Sequence, residues 1–268
     1  MKRLFGALIL IIIFALPAIF GPAWVFFIIA LIVLPICQYE LFRVMLSGES
    51  RILGWIGFAG SFPLLAGMYY ANLPATLYII GLTSLVIIIT GLYLFEKGLA
   101  DAKQVGLAIF SIIYPLTITG FWILVRNSVD GRFWMIFGLL STFVADSGAY
   151  YVGKNLGRHT LAKRLSPKKT IEGLAGGVVS SMIFGGLFLL FYEHFFTLEG
   201  TYPAWIIIPL AGLICILGLM GDLTASMFKR EYQIKDMGNL IPGHGGMLDR
   251  MDGIIPVGIV LYLIIQVL

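Results

Sequence analysis

Apolar stretches of bilayer length restrict what this chain can fold into more than any other feature of its sequence. Of its 268 residues, 59% are hydrophobic and only 12% are charged, whereas soluble domains carry about 25% charged residues. The mean hydropathy is +0.97. Because so much apolar surface has to be covered by lipid or protein, the composition indicates an integral membrane protein and excludes an ordinary soluble domain.

The apolar runs predict nine transmembrane helices, since a bilayer core requires about 20 residues of helix. Glycine and proline mark several of the breaks between them, as at Gly21-Pro22. The predicted fold class is therefore all-α, a polytopic membrane protein. The predicted spans are residues 4–20, 23–39, 52–70, 76–95, 105–125, 133–152, 173–196, 204–222 and 254–268.

The distribution of positive charge predicts the orientation, because lysine and arginine favour cytoplasmic loops. With nine spans, the side that holds the N-terminus carries all 18 lysines and arginines except Arg126 and Arg132. A wrong span count would exchange the two sides of the membrane for all loops after the error, and would spread the basic residues over both sides. The asymmetry therefore supports both the count and a cytoplasmic N-terminus. Both long polar loops, residues 153–172 and 223–253, are then cytoplasmic.

These two loops belong to the second half of the chain, whereas the first half has only short, lightly charged connections. We therefore predict a scaffold of five spans in residues 1–125. Residues 126–268 are predicted to form a catalytic region of four spans with the two polar loops. Glycines of the seventh span predict a close helix-packing face; they are Gly173, Gly176, Gly177, Gly185 and Gly186.

Four aspartates are predicted to lie at one depth near the cytoplasmic surface. Asp146 lies in the sixth span, one or two turns from its end, Asp222 ends the eighth, and Asp249 and Asp252 open the ninth. A charge at mid-membrane costs about 2.5–3.5 kcal/mol and usually faces protein or water. Asp249 and Asp252 are spaced to share a helix face. Carboxylate oxygens suit Mg²⁺, so all four are candidate metal ligands.

An alternative interpretation of these acids is structural, with each one paired to a nearby cation at a helix start or interface. Lys229, Arg230 and Arg250 are close enough in sequence to serve as partners. His244 lies in the turn Pro242-Gly243-His244-Gly245-Gly246. It is a candidate to bind phosphate or to orient a metal ligand, and a purely structural role in ordering that turn is an equal alternative.

The first polar loop ends in Ser166-Pro167-Lys168-Lys169-Thr170, directly before the seventh span. Backbone N–H groups at a helix start, together with two lysines, form a binding site for a polyphosphate. The alternative is a positively charged loop that touches anionic lipid headgroups. Charge alone favours the lipid-contact interpretation, whereas the Ser-Pro-Lys-Lys-Thr order at a helix start favours phosphate binding only in combination with the other motifs.

Several motifs together resemble a known family. Ser226-x-x-Lys229-Arg230, Lys235-Asp236, Pro242-Gly243-His244-Gly245-Gly246 and Asp249-Arg250-x-Asp252 follow one another at fixed spacing. This order is similar to the signature of phosphatidate cytidylyltransferases, also called CDP-diacylglycerol synthases. Two upstream patterns, in residues 146–157 and 166–173, are also similar to that family. The resemblance therefore covers residues 146–252 by motif.

The resemblance implies a polytopic inner-membrane enzyme, acting as a homodimer, that condenses CTP with phosphatidic acid and releases pyrophosphate on the cytoplasmic side. It implies no nucleic-acid partner. One or two Mg²⁺ ions would be held by Asp146, Asp222, Asp249 and Asp252. Catalytic roles are expected for Asp222, Lys229, Arg230, His244, Asp249 and Arg250. Substrate contacts are expected for Tyr150, Ser166, Lys168, Lys169, Lys235, Asp236, Gly245 and Gly246.

Two other functions remain open at this point. Another CTP-dependent lipid enzyme, such as a polyprenol kinase or an isoprenoid-lipid cytidylyltransferase, would use the same metal and phosphate groups. A cation-coupled transporter also uses intramembrane carboxylates. The transporter is less expected, because the acids are predicted at one membrane edge instead of the midplane.

Overall fold

The computed structural model describes residues 20–240 and 245–268. Eight helices in this part are long and apolar enough to cross a membrane. Each coincides with one predicted span from the second to the ninth, which confirms the all-α, polytopic fold class. The first predicted span, residues 4–20, lies outside the described residues apart from Phe20.

The first five helices, in chain order, are α1 Ala23–Met45, α2 Arg51–Tyr69, α3 Leu73–Glu96, α4 Ala102–Ile112 and α5 Thr119–Asn127. A 3-10 turn at Gly48–Ser50 precedes α2, and a π-helical segment at Ile113–Ile118 joins α4 to α5 in one span. The second half contains α6 Gly131–Leu156, β1 Thr160–Ala162, β2 Ser166–Thr170, α7 Ile171–Phe195 and α8 Ala204–Glu231. It ends with α9 Leu248–Met251, a 3-10 turn at Asp252–Ile254 and α10 Val257–Val267.

The packing of the chain defines two compact units. The first contains the described residues up to Asn127 together with Tyr232–Met251, and the second contains Ser128–Glu231 together with Asp252–Leu268. The segment 232–251 thus packs with the N-terminal helices, although it follows α8 in sequence. The predicted division into a scaffold and a catalytic region concerns roles, and it stays a prediction.

In the first unit, aromatic side chains pack the C-terminal half of α1 against α2. The Phe42 ring meets Trp55 edge-on at a centroid distance of 5.5 Å, and Tyr39 meets Phe42 at 5.4 Å. Gly54 makes room for this arrangement, because a Cβ atom there would lie 2.6 Å from Phe42 Cγ. These contacts fix the rotation of α1 about its axis, and hence the direction in which its neighbouring residue Glu40 points.

In the second unit, α6 and α7 approach each other through glycines. A Cβ atom on Gly173 or Gly177 would lie 2.8 Å from a backbone carbonyl oxygen of α6, and one on Gly176 would collide with Val152. Gly185 lies equally close to Ala211 of α8, at 2.8 Å from its Cβ. The predicted close packing through glycine is therefore confirmed for these four residues, whereas Gly186 has room for a Cβ atom, 3.4 Å from Ile208. Small residues let backbones approach closely in a membrane.

The carboxylate of Asp130, the residue before α6, anchors the connection between α7 and α8. Asp130 has a left-handed backbone, with φ +51°, and its Oδ2 accepts hydrogen bonds from the N–H groups of Glu199 and Gly200, both at 2.9 Å. The Tyr202 hydroxyl donates to the same oxygen at 2.8 Å. Burial, followed by this hydrogen bond, raises the pKa of Tyr202 to about 12. The connection between α7 and α8 is thereby tied to the first residue before α6.

The structure corrects the predicted end of the eighth span. α8 does not stop at Asp222 but continues to Glu231. Ala225 and Phe228 are buried in this extension, and their spacing from the buried Gly221, of four and three residues, continues one buried helix face. Asp222 is therefore an interior residue of the helix. Lys229 and Arg230 occupy its last turn, where positive charge is favoured by the helix dipole.

We predict that Gly177→Ala destabilises the second unit, because its Cβ atom would press on the Ala145 carbonyl oxygen, a backbone atom that cannot rotate away. The expected loss is about 1–3 kcal/mol of unfolding free energy, measured as a lower melting temperature in detergent. Gly186→Ala on the same helix is the matched control, since its Cβ atom would make an ordinary 3.4 Å contact with Ile208. Equal melting temperatures for the two variants would contradict the packing argument.

Candidate active site

The first basic loop folds into a hairpin that places two lysines beside α6 and α7. Strands β1 and β2 pair antiparallel, with Thr160 opposite Thr170 and Ala162 opposite Ser166. Lys168 and Lys169 are successive residues of β2, so their side chains leave opposite faces of the strand. Lys168 is exposed and Lys169 is half-buried. The hairpin therefore offers one lysine to solvent and turns the other toward the helices.

The base of this hairpin is held by hydrogen bonds to α7. Glu172 Oε2 accepts the backbone N–H groups of Arg158 at 3.0 Å and His159 at 3.2 Å, and its Oε1 lies 2.6 Å from His159 Nδ1. The Thr170 hydroxyl caps α7 by accepting the Gly173 N–H at 3.1 Å. Because both ends of the hairpin are tied to the start of one helix, the direction of β2 and its lysines is well defined.

Lys169 lies at the centre of a charged cluster built from three elements. Its ammonium group forms an ion pair with Asp222 Oδ2 of α8. Asp146 of α6 interacts electrostatically with both Lys169 and Asp222. The side chains of Lys169 and Asp222 are 30% and 34% exposed, so both are partly accessible. We call Asp146, Lys169 and Asp222 the charged cluster.

Asp146 lies within α6, which continues beyond it to Leu156, about 15 Å further at 1.5 Å per residue. Its depth relative to the cytoplasmic membrane surface stays a prediction. The residue is exposed. A charged side chain within a spanning helix normally faces protein or a water-filled cavity. The electrostatic interaction of Asp146 with Lys169 agrees with this rule.

The charged cluster fits a divalent cation by the chemistry of its donors. The Lys169 ammonium group already places a positive charge beside two carboxylates, Asp146 and Asp222. Mg²⁺ commonly takes one or two protein carboxylates and completes its shell with water and phosphate oxygens. Within residues 20–240 and 245–268, no three His, Cys, Asp or Glu side chains are grouped to hold a metal. The fit to Mg²⁺ therefore depends on this pair of aspartates.

The basic end of α8 is joined to the hairpin. Arg230 Nε donates a hydrogen bond to the Leu165 carbonyl oxygen at 3.3 Å, and Lys229 is half-buried one residue earlier. Arg230 itself remains exposed. The structure thus brings two predicted catalytic cations of α8 to the same unit as the two predicted substrate-binding lysines of β2.

Three other predicted residues belong to the second unit. Ser166 begins β2, and Tyr150 is 61% exposed on α6, with the Lys154 Nζ 5.9 Å from its ring centroid. Asp252 Oδ1 accepts the N–H of Gly253 at 2.8 Å. The Asp252 carbonyl group packs directly against Gly221, the residue before Asp222. The backbone of Asp252 is therefore close to α8 at the charged cluster, and its role as a metal ligand stays a prediction.

The remaining predicted residues belong to the first unit, apart from His244, which lies outside the described residues. Asp249 is 9% exposed, and its Oδ2 accepts the N–H groups of Met237 at 2.7 Å and Gly246 at 3.0 Å. Gly245 has φ +84°, a left-handed conformation that favours glycine. Lys235, Asp236 and Arg250 are exposed nearby in sequence. Asp249 thus orders the polar segment that carries these groups.

The expectation that Asp249 and Asp252 share a helix face stays a prediction, because the two residues lie in different short elements. α9 ends at Met251, and a 3-10 turn begins at Asp252. In addition, the two carboxylates accept hydrogen bonds from different backbone groups. Their predicted metal-binding roles remain untested by these contacts.

Sequence reasoning missed Glu40, a buried carboxylate of α1. Its two oxygens accept the backbone N–H groups of Met247 at 3.0 Å and Leu248 at 2.8 Å. The available signal was an acid directly after the predicted span 23–39. Because α1 continues to Met45, Glu40 lies inside the helix and not in a loop, and an acid in an apolar helix requires polar partners.

Comparisons with protein families and with individual proteins give the same family of relatives. A family model described as the cytidylyltransferase family matches residues 1–268. A phosphatidate cytidylyltransferase of Staphylococcus aureus (strain COL) is 28% identical over 250 residues, covering 93% of each chain. One from Bacillus subtilis (strain 168) is 35% identical over 170 residues, covering 63% of this chain and 61% of the relative. One from Staphylococcus haemolyticus (strain JCSC1435) is 37% identical over 133 residues, covering 50% and 49%.

We predict that Thr170→Ala lowers stability by about 1 kcal/mol, because the Gly173 N–H loses the hydroxyl that caps α7. Thr170→Ser is the matched control, since it keeps the hydroxyl and removes only a methyl group. Melting temperatures in detergent provide the measurement. If both variants melt alike, the hydroxyl does not cap the helix in solution.

Proposed function

This chain belongs to the cytidylyltransferase family, and we propose that it transfers the cytidylyl group of CTP to phosphatidic acid, giving CDP-diacylglycerol and pyrophosphate. The observation that carries this proposal is the charged cluster, in which carboxylates and a lysine from α6, β2 and α8 meet within a bundle of spanning helices. Such a site suits two phosphorylated substrates, one from water and one from the bilayer. The named activity of the relatives supports the same reaction.

In the proposed reaction, a phosphate oxygen of phosphatidic acid attacks the α-phosphorus of CTP. A new phosphorus–oxygen bond forms as the bond to the β-phosphate oxygen breaks, and pyrophosphate leaves with that electron pair. The nucleophile needs no strong base, because the second pKa of a phosphate monoester is about 6. Catalysis of such a displacement comes from alignment of the reactants and neutralisation of charge.

Basic side chains of the second unit would supply this neutralisation. Lys168 is exposed on β2 and available to a triphosphate, while Lys169 is already oriented by its ion pair with Asp222. Lys229 and Arg230 extend the positive charge along the last turn of α8. In the segment 232–251, Lys235 and Arg250 are exposed and are proposed to contact substrate as well. Charge-assisted hydrogen bonds to phosphate are among the stronger ones in proteins.

We propose one or two Mg²⁺ ions as cofactor. Asp146 and Asp222 are the first candidate ligands, and Asp249 and Asp252 are further ones. When bound, Mg²⁺ neutralises phosphate charge and aligns the reacting oxygens. The exposure of both Asp222 and Lys169, about a third each, leaves room for phosphate oxygens beside the carboxylates.

We also propose that the protein resides in the cell inner membrane as a homodimer, with its active site facing the cytoplasm. The orientation is supported by the location of all lysines and arginines except Arg126 and Arg132 on one predicted side. It also agrees with the supply of CTP from the cytoplasm. The dimer follows from the family resemblance, and size measurement in native-like lipid discs would check it.

The decisive experiment uses purified protein with Mg²⁺, CTP labelled at the α-phosphate and phosphatidic acid in mixed micelles. We expect pyrophosphate release together with transfer of the label to a lipid product. A polyprenyl phosphate acceptor in place of phosphatidic acid tests the isoprenoid alternative. CTP labelled at the γ-phosphate tests a kinase, since only a kinase would move that label to lipid. Label transfer to the prenyl acceptor alone would overturn the proposed substrate.

We predict that Asp222→Asn lowers kcat at least about a hundredfold. The amide loses the negative charge that orients Lys169 and contributes to the proposed cation site. Product formation at saturating Mg²⁺ is measured, and the melting temperature shows that the protein remains folded. Glu193→Gln, which changes an exposed acid of α7, should retain normal turnover. Substantial turnover by Asp222→Asn would reject its proposed role.

We predict that Lys168→Ala raises the KM for CTP or phosphatidic acid about tenfold, as expected when one charge-assisted phosphate contact is lost. Steady-state kinetics with each substrate varied in turn identifies the affected phosphate. Lys163→Ala is the matched control, because Lys163 is also exposed in the hairpin turn. An effect of equal size in both variants would indicate general loop charge instead of a specific contact.

A further inference from the structure

Glu40 makes contacts that the proposed mechanism does not use. It lies in α1 and is only 5% exposed. Its Oε1 accepts the Met247 N–H at 3.0 Å, and its Oε2 accepts the Leu248 N–H at 2.8 Å. Hydrogen bonds from backbone N–H groups to a carboxylate are about twice as strong as neutral ones. The two oxygens of Glu40 are thus each engaged by the segment that leads into α9.

The surrounding backbone is packed tightly around this carboxylate. A Cβ atom on Gly246 would lie 2.5 Å from Glu40 Oε2, and one on Gly238 would lie 2.7 Å from Glu40 Cδ. Only glycine fits at either position without displacing the carboxylate. Two separate stretches of the segment 232–251 are therefore shaped around Glu40. A carboxylate that only needed polar surroundings at a helix edge would not require backbone atoms to pack so closely against it.

Glu40 and Asp249 together accept the three successive backbone N–H groups of one turn. Asp249 Oδ2 accepts the Gly246 N–H at 3.0 Å, while Glu40 accepts the next two, from Met247 and Leu248. The three successive N–H groups are thereby fixed by two carboxylates on different elements. Leu248 is the first residue of α9, and Asp249 and Arg250 follow it directly. The position of both side chains depends on how this turn is held.

We infer that Glu40 is a positioning residue for cytidylyl transfer. It fixes the turn at Gly246–Leu248, and through that turn it sets the direction of the Asp249 carboxylate and the Arg250 guanidinium group. This inference rests on the proposed function and on the catalytic roles proposed for Asp249 and Arg250. A misplacement of about 1 Å in a catalytic group can lower the rate about a hundredfold, so the loss of Glu40 should affect turnover without its touching substrate.

The test variant is Glu40→Gln, which keeps the size of the side chain. Its amide has one oxygen that can accept a hydrogen bond, whereas the carboxylate has two. We expect kcat to fall about 10- to 100-fold, with the KM for CTP changed by no more than about twofold. Hydrogen exchange of residues 245–251 should become faster, and kcat is calculated per folded molecule because the lost charge-assisted bond also lowers the melting temperature. Glu40→Ala, which keeps neither acceptor, should lower kcat further.

Glu49→Gln is the matched control, because Glu49 is an exposed acid of the same unit and should leave kcat and exchange unchanged. A normal kcat for Glu40→Gln in an active preparation overturns the inference and leaves the proposed function intact. A kcat loss that only follows a loss of folded protein also overturns it. If the wild type releases no pyrophosphate, the proposed function itself fails, and the two failures are thereby distinguished.

Discussion

Carboxylates set among apolar helices are the constraint on which the rest of this structure depends. A charged group in such surroundings is costly unless hydrogen bonds or an opposite charge compensate it. The chain meets this demand in two ways. In the first unit, Glu40 and Asp249 are satisfied by backbone N–H groups. In the second, Asp146 and Asp222 lie beside the ammonium group of Lys169.

These two solutions have different chemical consequences. Backbone N–H groups cannot leave a carboxylate without unfolding the turn that carries them, so Glu40 makes its surroundings rigid. A lysine side chain, by contrast, has a flexible stem of four carbons. Its ammonium group can therefore leave the partner carboxylate and bind a phosphate oxygen. The partly exposed pair of Lys169 and Asp222 is therefore suited to bind and release a charged substrate. Glu40 therefore supports a rigid turn, whereas Lys169 and Asp222 carry charges that can change partners.

Much of the fold could be predicted because it follows from local composition. The spans from the second to the ninth were located by apolar run length, and four of the five glycines predicted to form a packing face on α7 make close helix contacts. The ends of the helices were harder to predict from the sequence. The apolar run stops at Asp222, yet α8 continues because Ala225 and Phe228 find a buried environment. Such an environment is created by neighbouring helices and has no counterpart in hydropathy.

The sequence by itself determined that this chain is a polytopic membrane protein whose polar residues are concentrated in two loops, since both properties depend only on the order of apolar and charged residues. It also determined the family, through motifs of fixed spacing. Only the tertiary structure decided that Lys169 joins Asp146 and Asp222, and that Glu40 holds a turn 207 residues away from it. Such pairings arise from helix rotation and close packing, which depend on many distant contacts at once and leave no local pattern along the chain.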